Sequence, residues 1–283
     1  MSQFPQFIIA KVHFYIYASF LETLGHSHSI CVFNTEPSES NYWQPQIARK
    51  ITQYISEGYA VVYVVEQDTA KTIQRLSSMG IDIEDYVESG ALTLVNNDVF
   101  YSPSVAGSIL IEQWYKLFSS IEKRSRNKFR GFVAMGMPAS SFFDSELNEQ
   151  RLVDYESAVS EKYDGSIEAL CCYAAQSIEK LPLRHIVALL NAHQHTAHRD
   201  GKLKVWDSAR GVSTIKKGLN EALGRGMYEL VFAMLIRDFG MNAEAIIMHP
   251  HQFENKLRIL FGTSAAEIVL GKIKAEFKKD ILF

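Results

Sequence analysis

Histidines occur in the sequence at spacings that could bind a metal ion. One triplet and two pairs have this property: His193, His195 and His198; His26 and His28; His249 and His251. On a continuous helix the side chains of His193 and His195 lie about 200° apart, so they can share an ion only if the helix ends there. His195 and His198 can share a face, but no HExxH motif or carboxylate-bearing triplet accompanies them. We interpret these histidines as polar residues at a helix end, with a metal site at His195 and His198 as the alternative.

Cysteine is the other residue type that could carry chemistry. The chain has Cys31, Cys171 and Cys172, without a CxxC motif, and it has no GxSxG motif. Adjacent residues of a strand point to opposite faces of a sheet, so at least one of Cys171 and Cys172 belongs to the core. We interpret both as core residues. The alternative is a metal- or thiol-dependent enzyme that uses the histidine triplet and Cys172.

Charge and phosphate-binding motifs limit the partners that the chain can have. It has 283 residues, a formal net charge of -3 and a pI of about 6.3. No GxxxxGK[ST] motif occurs, and no GxGxxG follows a predicted strand. These features argue against a P-loop NTPase and against a basic DNA-binding face, so we expect neither a cofactor nor a DNA partner. Three cysteines without a spacing pattern favour a cytoplasmic protein.

Short apolar runs alternate with longer amphipathic stretches from residue 28 onward, which predicts βαβ units. The predicted strands are residues 29–33, 60–65, 91–95, 131–135 and 167–173. The predicted crossover helices are residues 42–56, 69–79, 104–123 and 144–163, followed by a helix from Pro182 to about His195. Four of the strands are almost continuously apolar, as expected when helices cover both faces of a parallel sheet. We therefore expect an α/β fold with three layers and a parallel sheet.

The loops after these strands are the expected ligand site, because ligands of parallel α/β sheets bind outside the carboxyl ends of the strands. The loops are neutral and partly apolar, which suits a small organic molecule better than a polyphosphate. The candidate ligand-binding residues at this rim are Asn34, Glu66, Met135, Gly136, Met137 and Tyr173. Another interpretation is a structural interaction module whose strand ends are filled by its own side chains.

Both ends of the chain are predicted to lie outside the α/β unit, which we place at residues 25–207. Residues 7–21 are strongly apolar but shorter than the roughly 20 residues of a membrane span, so no transmembrane segment is expected. We predict that residues 1–24 form a helix that is buried or mediates dimerisation, with a peripheral membrane anchor as the alternative. Residues 208–283 are predicted to form an all-helical domain, with helices at 212–223, 226–239, 251–261 and 264–279. We expect a homo-oligomer and a protein partner for the C-terminal helices.

The order of several short motifs resembles the MEDS domain, the sensory domain described from methanogen and methylotroph proteins and from the regulator DcmR. The resemblance covers roughly residues 25–200 and rests on residues 30–33 (ICVF), 63–66 (YVVE), 80–84 (GIDIE), 88–92 (ESGAL), 155–156 (YE), 169–173 (ALCCY) and His193. The family often has a histidine directly before the Ile-Cys pair of the first strand, where this chain has Ser29 and, one residue earlier, His28. Residues 219–224 (LNEALG) and 253–261 are similar to small helical output domains of archaeal sensors.

The resemblance implies an intracellular sensor of small organic, hydrocarbon-derived compounds. It implies a sheet like that of RecA or KaiC, without the phosphate loop. It adds His28 and His193 to the candidate ligand-binding residues. It also implies that the C-terminal helices relay the occupancy of the ligand site. Such a relay requires that the ligand bind two arrangements of the helices with unequal affinity.

Overall fold

The computed structural model describes residues 28–33, 40–66, 69–104, 107–125, 129–162, 167–197 and 203–281. The predicted N-terminal helix at residues 1–24, the candidate residue Asn34 and the third histidine of the triplet, His198, lie outside the described residues. None of the described helices is both long enough and apolar enough to cross a membrane.

A seven-stranded sheet forms the centre of the described α/β region. Its strands are β1 (His28–Phe33), β2 (Tyr59–Val65), β3 (Leu92–Asn96), β4 (Gly131–Gly136), β5 (Ile167–Ala174), β6 (His195–Ala197) and β7 (Leu203–Val205). The spatial order is β3-β2-β4-β5-β1-β6-β7. Neighbouring strands are parallel except β6 and β7, which are antiparallel. The predicted α/β fold with a largely parallel sheet is confirmed.

The sheet has two short strands besides the five predicted from the apolar runs. Strand β6 forms because the helix predicted to reach His195 ends early, and β7 pairs with β6 in a segment where the sequence allowed one short strand. The last residue of this helix is Ala192, and His193 already has extended backbone angles (φ -115°, ψ 136°). The amide of Gln194 donates to the carbonyl of His28 at 2.9 Å, so pairing with β1 replaces the next helical turn. Neither glycine nor proline marks this helix end, and a strand of three residues is too short for a period to show.

Helices cover both faces of the sheet and continue into a C-terminal helical region. In the α/β region they are α1 (Ser40–Ser56), α2 (Thr69–Ser78), α3 (Ile83–Glu88), α4 (Asn97–Phe100), α5 (Gly107–Arg124), a 3-10 helix (Ser140–Phe143), α6 (Glu146–Lys162), α7 (Ala175–Lys180) and α8 (Leu183–Ala192). The C-terminal helices are α9 (Ser208–Leu223), α10 (Met227–Phe239), α11 (Ala243–Met248), α12 (Pro250–Phe261) and α13 (Thr263–Ile281). Short helices such as α3 and α11 were not predicted from the sequence.

The two faces of the sheet have separate apolar cores. Residues of α1, α2 and α3 pack on one face, and residues of α5, α6 and α8 pack on the other. On β5, Leu170 and Cys172 belong to the core on the α1 side, whereas Cys171 and Tyr173 belong to the α6 side. The prediction that the adjacent cysteines point to opposite faces is confirmed. Helix α8 also contacts α11, α12 and α13, so the core on the α6 side continues into the C-terminal helices.

Candidate functional site

The register of β1 and β5 collects three polar side chains on one face of the sheet. The two strands are parallel, with Ile30 opposite Cys171. Because side chains alternate along a strand, His28, Cys171 and Tyr173 all face α6. His28 and Tyr173 are fully buried. A histidine, a thiol and a phenol therefore lie together beneath one helix.

Helix α6 places an acidic side chain among these groups. Leu152, Val153 and Tyr155 are buried against the sheet. Glu156 lies one turn after Leu152 on the same face of the helix and is 0% exposed. A carboxylate removed from water needs hydrogen bonds or positive charge in compensation. The helical period, which buries the apolar residues, thus also buries this carboxylate.

Hydrogen bonds hold both oxygens of the Glu156 carboxylate. Tyr173 donates to Oε1 at 2.5 Å, Tyr101 also donates to Oε1, and Nε2 of His28 lies 3.2 Å from Oε2. Burial by itself would raise the pKa of Glu156, but the hydrogen bond from His28, the electrostatic interaction with the His193 and His28 rings and the bond from Tyr173 lower this pKa below its usual range. Burial and the nearby carboxylate raise the pKa of Tyr173. Glu156 is therefore ionised near pH 7, and the tyrosines are its donors.

His193 reaches this carboxylate from the end of α8. Its Nδ1 donates to the carbonyl of Leu189 at 2.6 Å, so the lone pair of the ring is on Nε2. Nε2 lies 3.6 Å from Oε2 of Glu156 and has no hydrogen-bond partner among the described residues. The ring centroids of His193 and His28 are 4.1 Å apart. Burial and the neighbouring His28 lower the pKa of His193 to about 3, so its ring is neutral near pH 7.

Cys171 completes a cluster of four side chains that we call the buried cluster: His28, Glu156, Cys171 and His193. The thiol Sγ is 3.5 Å from Nε2 of His28 and 3.5 Å from Oε2 of Glu156. One ligand atom from each of the four residues lies within 4.8 Å of all the others. Burial and the charge of Glu156 raise the pKa of the Cys171 thiol. The four residues come from β1, α6, β5 and the end of α8, so four elements meet here.

A cavity of about 80 Å³ adjoins the buried cluster, between the sheet and helices α5 and α6. Its lining is mainly apolar and includes Val64, Ile111, Trp114, Phe118 and Ala134. The polar side is formed by Tyr101, Tyr155, Glu156 and Cys171. Tyr115, which is 44% exposed, also lines the cavity, so the cavity reaches the surface beside this side chain.

Three of the predicted ligand-binding residues are brought together. His28, Tyr173 and His193 surround the carboxylate of Glu156, although His28 and His193 are 165 positions apart in the sequence. They lie on the face of the sheet beneath α6. Of the three, only Tyr173 was expected at the rim beyond the strand ends; His28 and His193 were candidates through the family resemblance.

The other predicted residues lie elsewhere. Glu66 is exposed directly after β2, and Met137 packs on the α1 side of the sheet. The side chain of Met135 also belongs to the core on the α1 side, while Met135 and Gly136 border the cavity at the end of β4. Gly136 has φ 151°, and a Cβ there would lie 2.4 Å from the carbonyl oxygen of Val64. Only glycine lets β2 and β4 end this close together.

The remaining predicted metal ligands do not join the buried cluster. His195 lies on β6 opposite Ser29 and is partly buried. His249 and His251 are exposed at the start of α12. Within the described residues, the arrangement that could hold an ion therefore combines His193 with partners far away in the sequence.

Sequence reasoning did not identify Glu156, Cys171 and Tyr101 as site residues. Glu156 and Cys171 were part of the motifs YE and ALCCY, but Cys171 was interpreted as a core residue. An acidic residue in phase with the apolar face of a predicted helix is a signal that could have found Glu156. Tyr101 follows the short helix α4, and no pattern in the sequence relates it to α6.

Comparison with protein families gives a match over residues 28–194 to the family described as "MEDS: MEthanogen/methylotroph, DcmR Sensory domain". The match covers more than half of the chain, contains the whole buried cluster and ends before the C-terminal helices. No curated protein is significantly similar to the chain.

Proposed function

Because the chain belongs to the MEDS family of sensory domains, we propose that it senses a small organic molecule that binds in the cavity beside the buried cluster. One observation carries this proposal: the cavity is apolar on most sides and has a single polar side. Such a lining is typical of sites for small organic ligands, where a few polar groups fix the orientation.

The volume of the cavity restricts the size of the ligand. The cavity measures about 80 Å³, roughly half of the ~150 Å³ that accommodates benzene in an engineered apolar cavity. A molecule with only a few non-hydrogen atoms fits this space. The family resemblance, which implies a hydrocarbon-derived compound, is consistent with a ligand of this size.

The polar side of the cavity favours a ligand with one hydrogen-bonding group. Tyr155 accepts a hydrogen bond from Nε1 of Trp114 at 2.7 Å, which leaves its own hydroxyl hydrogen to point elsewhere. The rings of Tyr101 and Tyr155 have centroids 4.8 Å apart. A hydroxyl or carbonyl oxygen of the ligand would bind at this side, while its carbon atoms contact the side chains of α5. In this proposal His28, Tyr173 and His193 act on the ligand through Glu156, and Met135 and Gly136 border it directly.

Helix α8 is the element that we propose to relay occupancy. Its C-terminal residue is followed by His193 of the buried cluster, and its outer surface contacts α11, α12 and α13. Asn191 of α8 donates to the carbonyl of Ile247 at 2.8 Å and accepts from Nε1 of Trp206 at 3.0 Å. A ligand that binds one position of α8 more tightly would shift the C-terminal helices with it. Residues 208–283 would then be the output region. Residues 1–24 would contact a second copy of the chain.

The proposed cavity site is tested by filling it. Ala134 lines the cavity, so Ala134→Leu places a larger side chain in the ligand volume. The probes are short-chain alcohols, ketones and alkanes, measured by ligand-detected NMR on the full chain, with xenon as a purely apolar probe. We expect at least one probe to bind the wild type saturably and to lose at least tenfold in affinity in A134L.

Ala158 offers the matched control. It is a partly buried alanine on α6 that packs against the same core but does not line the cavity. Ala158→Leu adds the same volume and should leave probe binding unchanged. Equal binding to wild type and A134L, or the failure of every probe to bind saturably, would contradict the proposed site.

A further inference from the structure

The four side chains of the buried cluster have one ligand atom each within 4.8 Å of the other three. Oε2 of Glu156 is 3.2 Å from Nε2 of His28, 3.5 Å from Sγ of Cys171 and 3.6 Å from Nε2 of His193. Sγ is also 3.5 Å from Nε2 of His28. These groups are all removed from bulk water except for Cys171, which is partly buried.

The hydrogen bonds around the cluster leave lone pairs facing one another. Nδ1 of His193 donates to Leu189, so Nε2 presents a lone pair to the Glu156 carboxylate and has no hydrogen-bond partner among the described residues. Oε1 of Glu156 accepts from Tyr101 and Tyr173, and Oε2 faces the other three side chains. A buried nitrogen lone pair that faces a carboxylate oxygen at 3.6 Å with no donor between the two atoms is unfavourable, and a bound cation would satisfy both of them.

From this geometry we propose that His28, Glu156, Cys171 and His193 bind a divalent zinc ion. Tetrahedral zinc has bonds of about 2.0–2.1 Å to nitrogen or oxygen and about 2.3 Å to sulfur. In this geometry two nitrogen or oxygen ligands lie about 3.3–3.4 Å from each other, and a sulfur ligand lies about 3.6 Å from either of them. The separations of Oε2 from His28 and of Sγ from both neighbours match these values. Nε2 of His193 is about 0.2 Å farther from Oε2 than this ideal separation.

The donor set selects zinc among divalent cations. One carboxylate and one thiolate neutralise its two positive charges, and two imidazoles add no charge, which suits a site without water. Magnesium and calcium require mainly oxygen ligands, and this cluster offers one carboxylate. The hydrogen bond that Leu189 accepts from His193 and those that Tyr101 and Tyr173 donate to Glu156 are contacts of the kind that orient zinc ligands. Four protein ligands leave no open position, so the ion would be structural and would link β1, β5, α6 and α8.

The experiment uses the purified full chain, from which metal is removed with a chelator before titration with Zn²⁺ and, separately, Co²⁺. We expect one Zn²⁺ to bind per chain. We expect Co²⁺ to produce the visible bands of a tetrahedral site together with a thiolate charge-transfer band in the near ultraviolet. This spectrum of the wild type needs no variant, so it tests the site even if a substitution prevents folding.

Matched variants assign the ligands. Cys171→Ser and His193→Gln should each weaken Zn²⁺ binding by more than the ~10–100-fold typical of outer-shell changes. Cys172→Ser, on the opposite face of β5, and His195→Gln, on β6, should leave it unchanged. Far-ultraviolet circular dichroism confirms that each variant is folded.

The zinc proposal fails if the wild type binds no stoichiometric Zn²⁺, if its Co²⁺ complex lacks the thiolate band, or if folded C171S retains that band. It does not depend on the proposed organic ligand. Zinc binding is measured without any probe molecule, and a failure of every probe to bind the cavity would leave the metal titration unaffected.

Discussion

Glu156 is the residue on which the site depends, because its burial is stable only with the groups around it. Its carboxylate is 0% exposed and contacts His28, Tyr101, Tyr173 and Cys171. An ionised carboxylate buried without partners would be strongly destabilising. Each partner therefore contributes to folding, and a single substitution in this network is expected to lower stability.

A second buried histidine provides a pH-dependent prediction at the scale of one residue. His185 on α8 lies 3.2 Å from Glu149 and 3.2 Å from Gln150 of α6. Burial and the neighbouring Arg184 lower its pKa to about 4. In the unfolded chain the pKa of a histidine is about 6.5. Between about pH 4 and pH 6.5 the unfolded chain therefore binds a proton at His185, and the folded chain does not. Stability therefore falls as the pH decreases from about 6.5 to about 4.

Substitution of His185 should flatten this pH dependence. A difference of one bound proton between the folded and unfolded chains changes the unfolding free energy by about 1.4 kcal/mol per pH unit. This value is the upper limit for the change in the slope of unfolding free energy against pH. His185→Gln keeps a polar side chain between α6 and α8, and the exposed His249 gives the control H249Q. Urea unfolding across this pH window measures the slopes. An H185Q slope equal to that of wild type would show that His185 is not neutral when folded.

At the scale of elements, close packing of two C-terminal helices depends on a glycine. Gly218 lies in α9 where α13 crosses it, and a Cβ at this position would be 2.4 Å from Cα of Ile273. Gly218→Ala would therefore force the helices apart, and we expect a loss of ~1–3 kcal/mol in unfolding free energy. A Cβ added at Gly271 of α13 would have no neighbouring atom within 4 Å.

Gly271→Ala is the matched control for this prediction. Alanine is favoured over glycine inside a helix by about 1 kcal/mol, so G271A should be stabilising. Both variants exchange the same residue types in helices, and only the space around the new methyl group differs. Chemical denaturation measures both, and a G218A variant as stable as G271A would contradict the close crossing of α9 and α13.

At the scale of the whole molecule, an ion pair joins the C-terminal helices to the α/β region. Glu254 of α12 is 2% exposed, and it accepts from the backbone amide of Arg184 at 2.9 Å and from its guanidinium at 3.0 Å. The N-cap of α8, Pro182, has no side-chain hydrogen bond to the helix. Glu254 therefore caps α8 from another helix, satisfying one of the amides that every helix start leaves free.

Removal of this link should weaken the contact between the two regions. Glu254→Ala leaves the backbone amide of Arg184 without this partner and removes one of the two carboxylates that its guanidinium contacts. We expect a loss of ~1–3 kcal/mol in unfolding free energy. Glu267 is an exposed partner of Arg258, and Glu267→Ala should change stability by less than about 0.5 kcal/mol. Hydrogen exchange locates the effect, which should be largest in α8 and α12. Protection unchanged in both helices would refute the link.

The layered α/β fold, its five longer strands and the all-helical C-terminal region could be predicted from the amino-acid sequence alone. Alternation and helical period report burial directly, because each strand or helix must place its apolar side toward a core. The motifs also identified His28, Tyr173 and His193 as candidates and indicated the family. These features can be predicted from patterns among residues that are close together in the sequence.

Only the tertiary structure decided where the candidate site lies. The pairing of β6 with β1 ends α8 at Ala192 and turns His193 toward His28. The phase of α6 places Glu156 beneath the helix, and the register of β5 adds Cys171. The contacts of His28 join residues more than a hundred positions apart, whereas Glu156 and Cys171 are 15 positions apart. All of these distances depend on register and helix phase. Local patterns do not encode those quantities, because they are set by the packing of all the elements together.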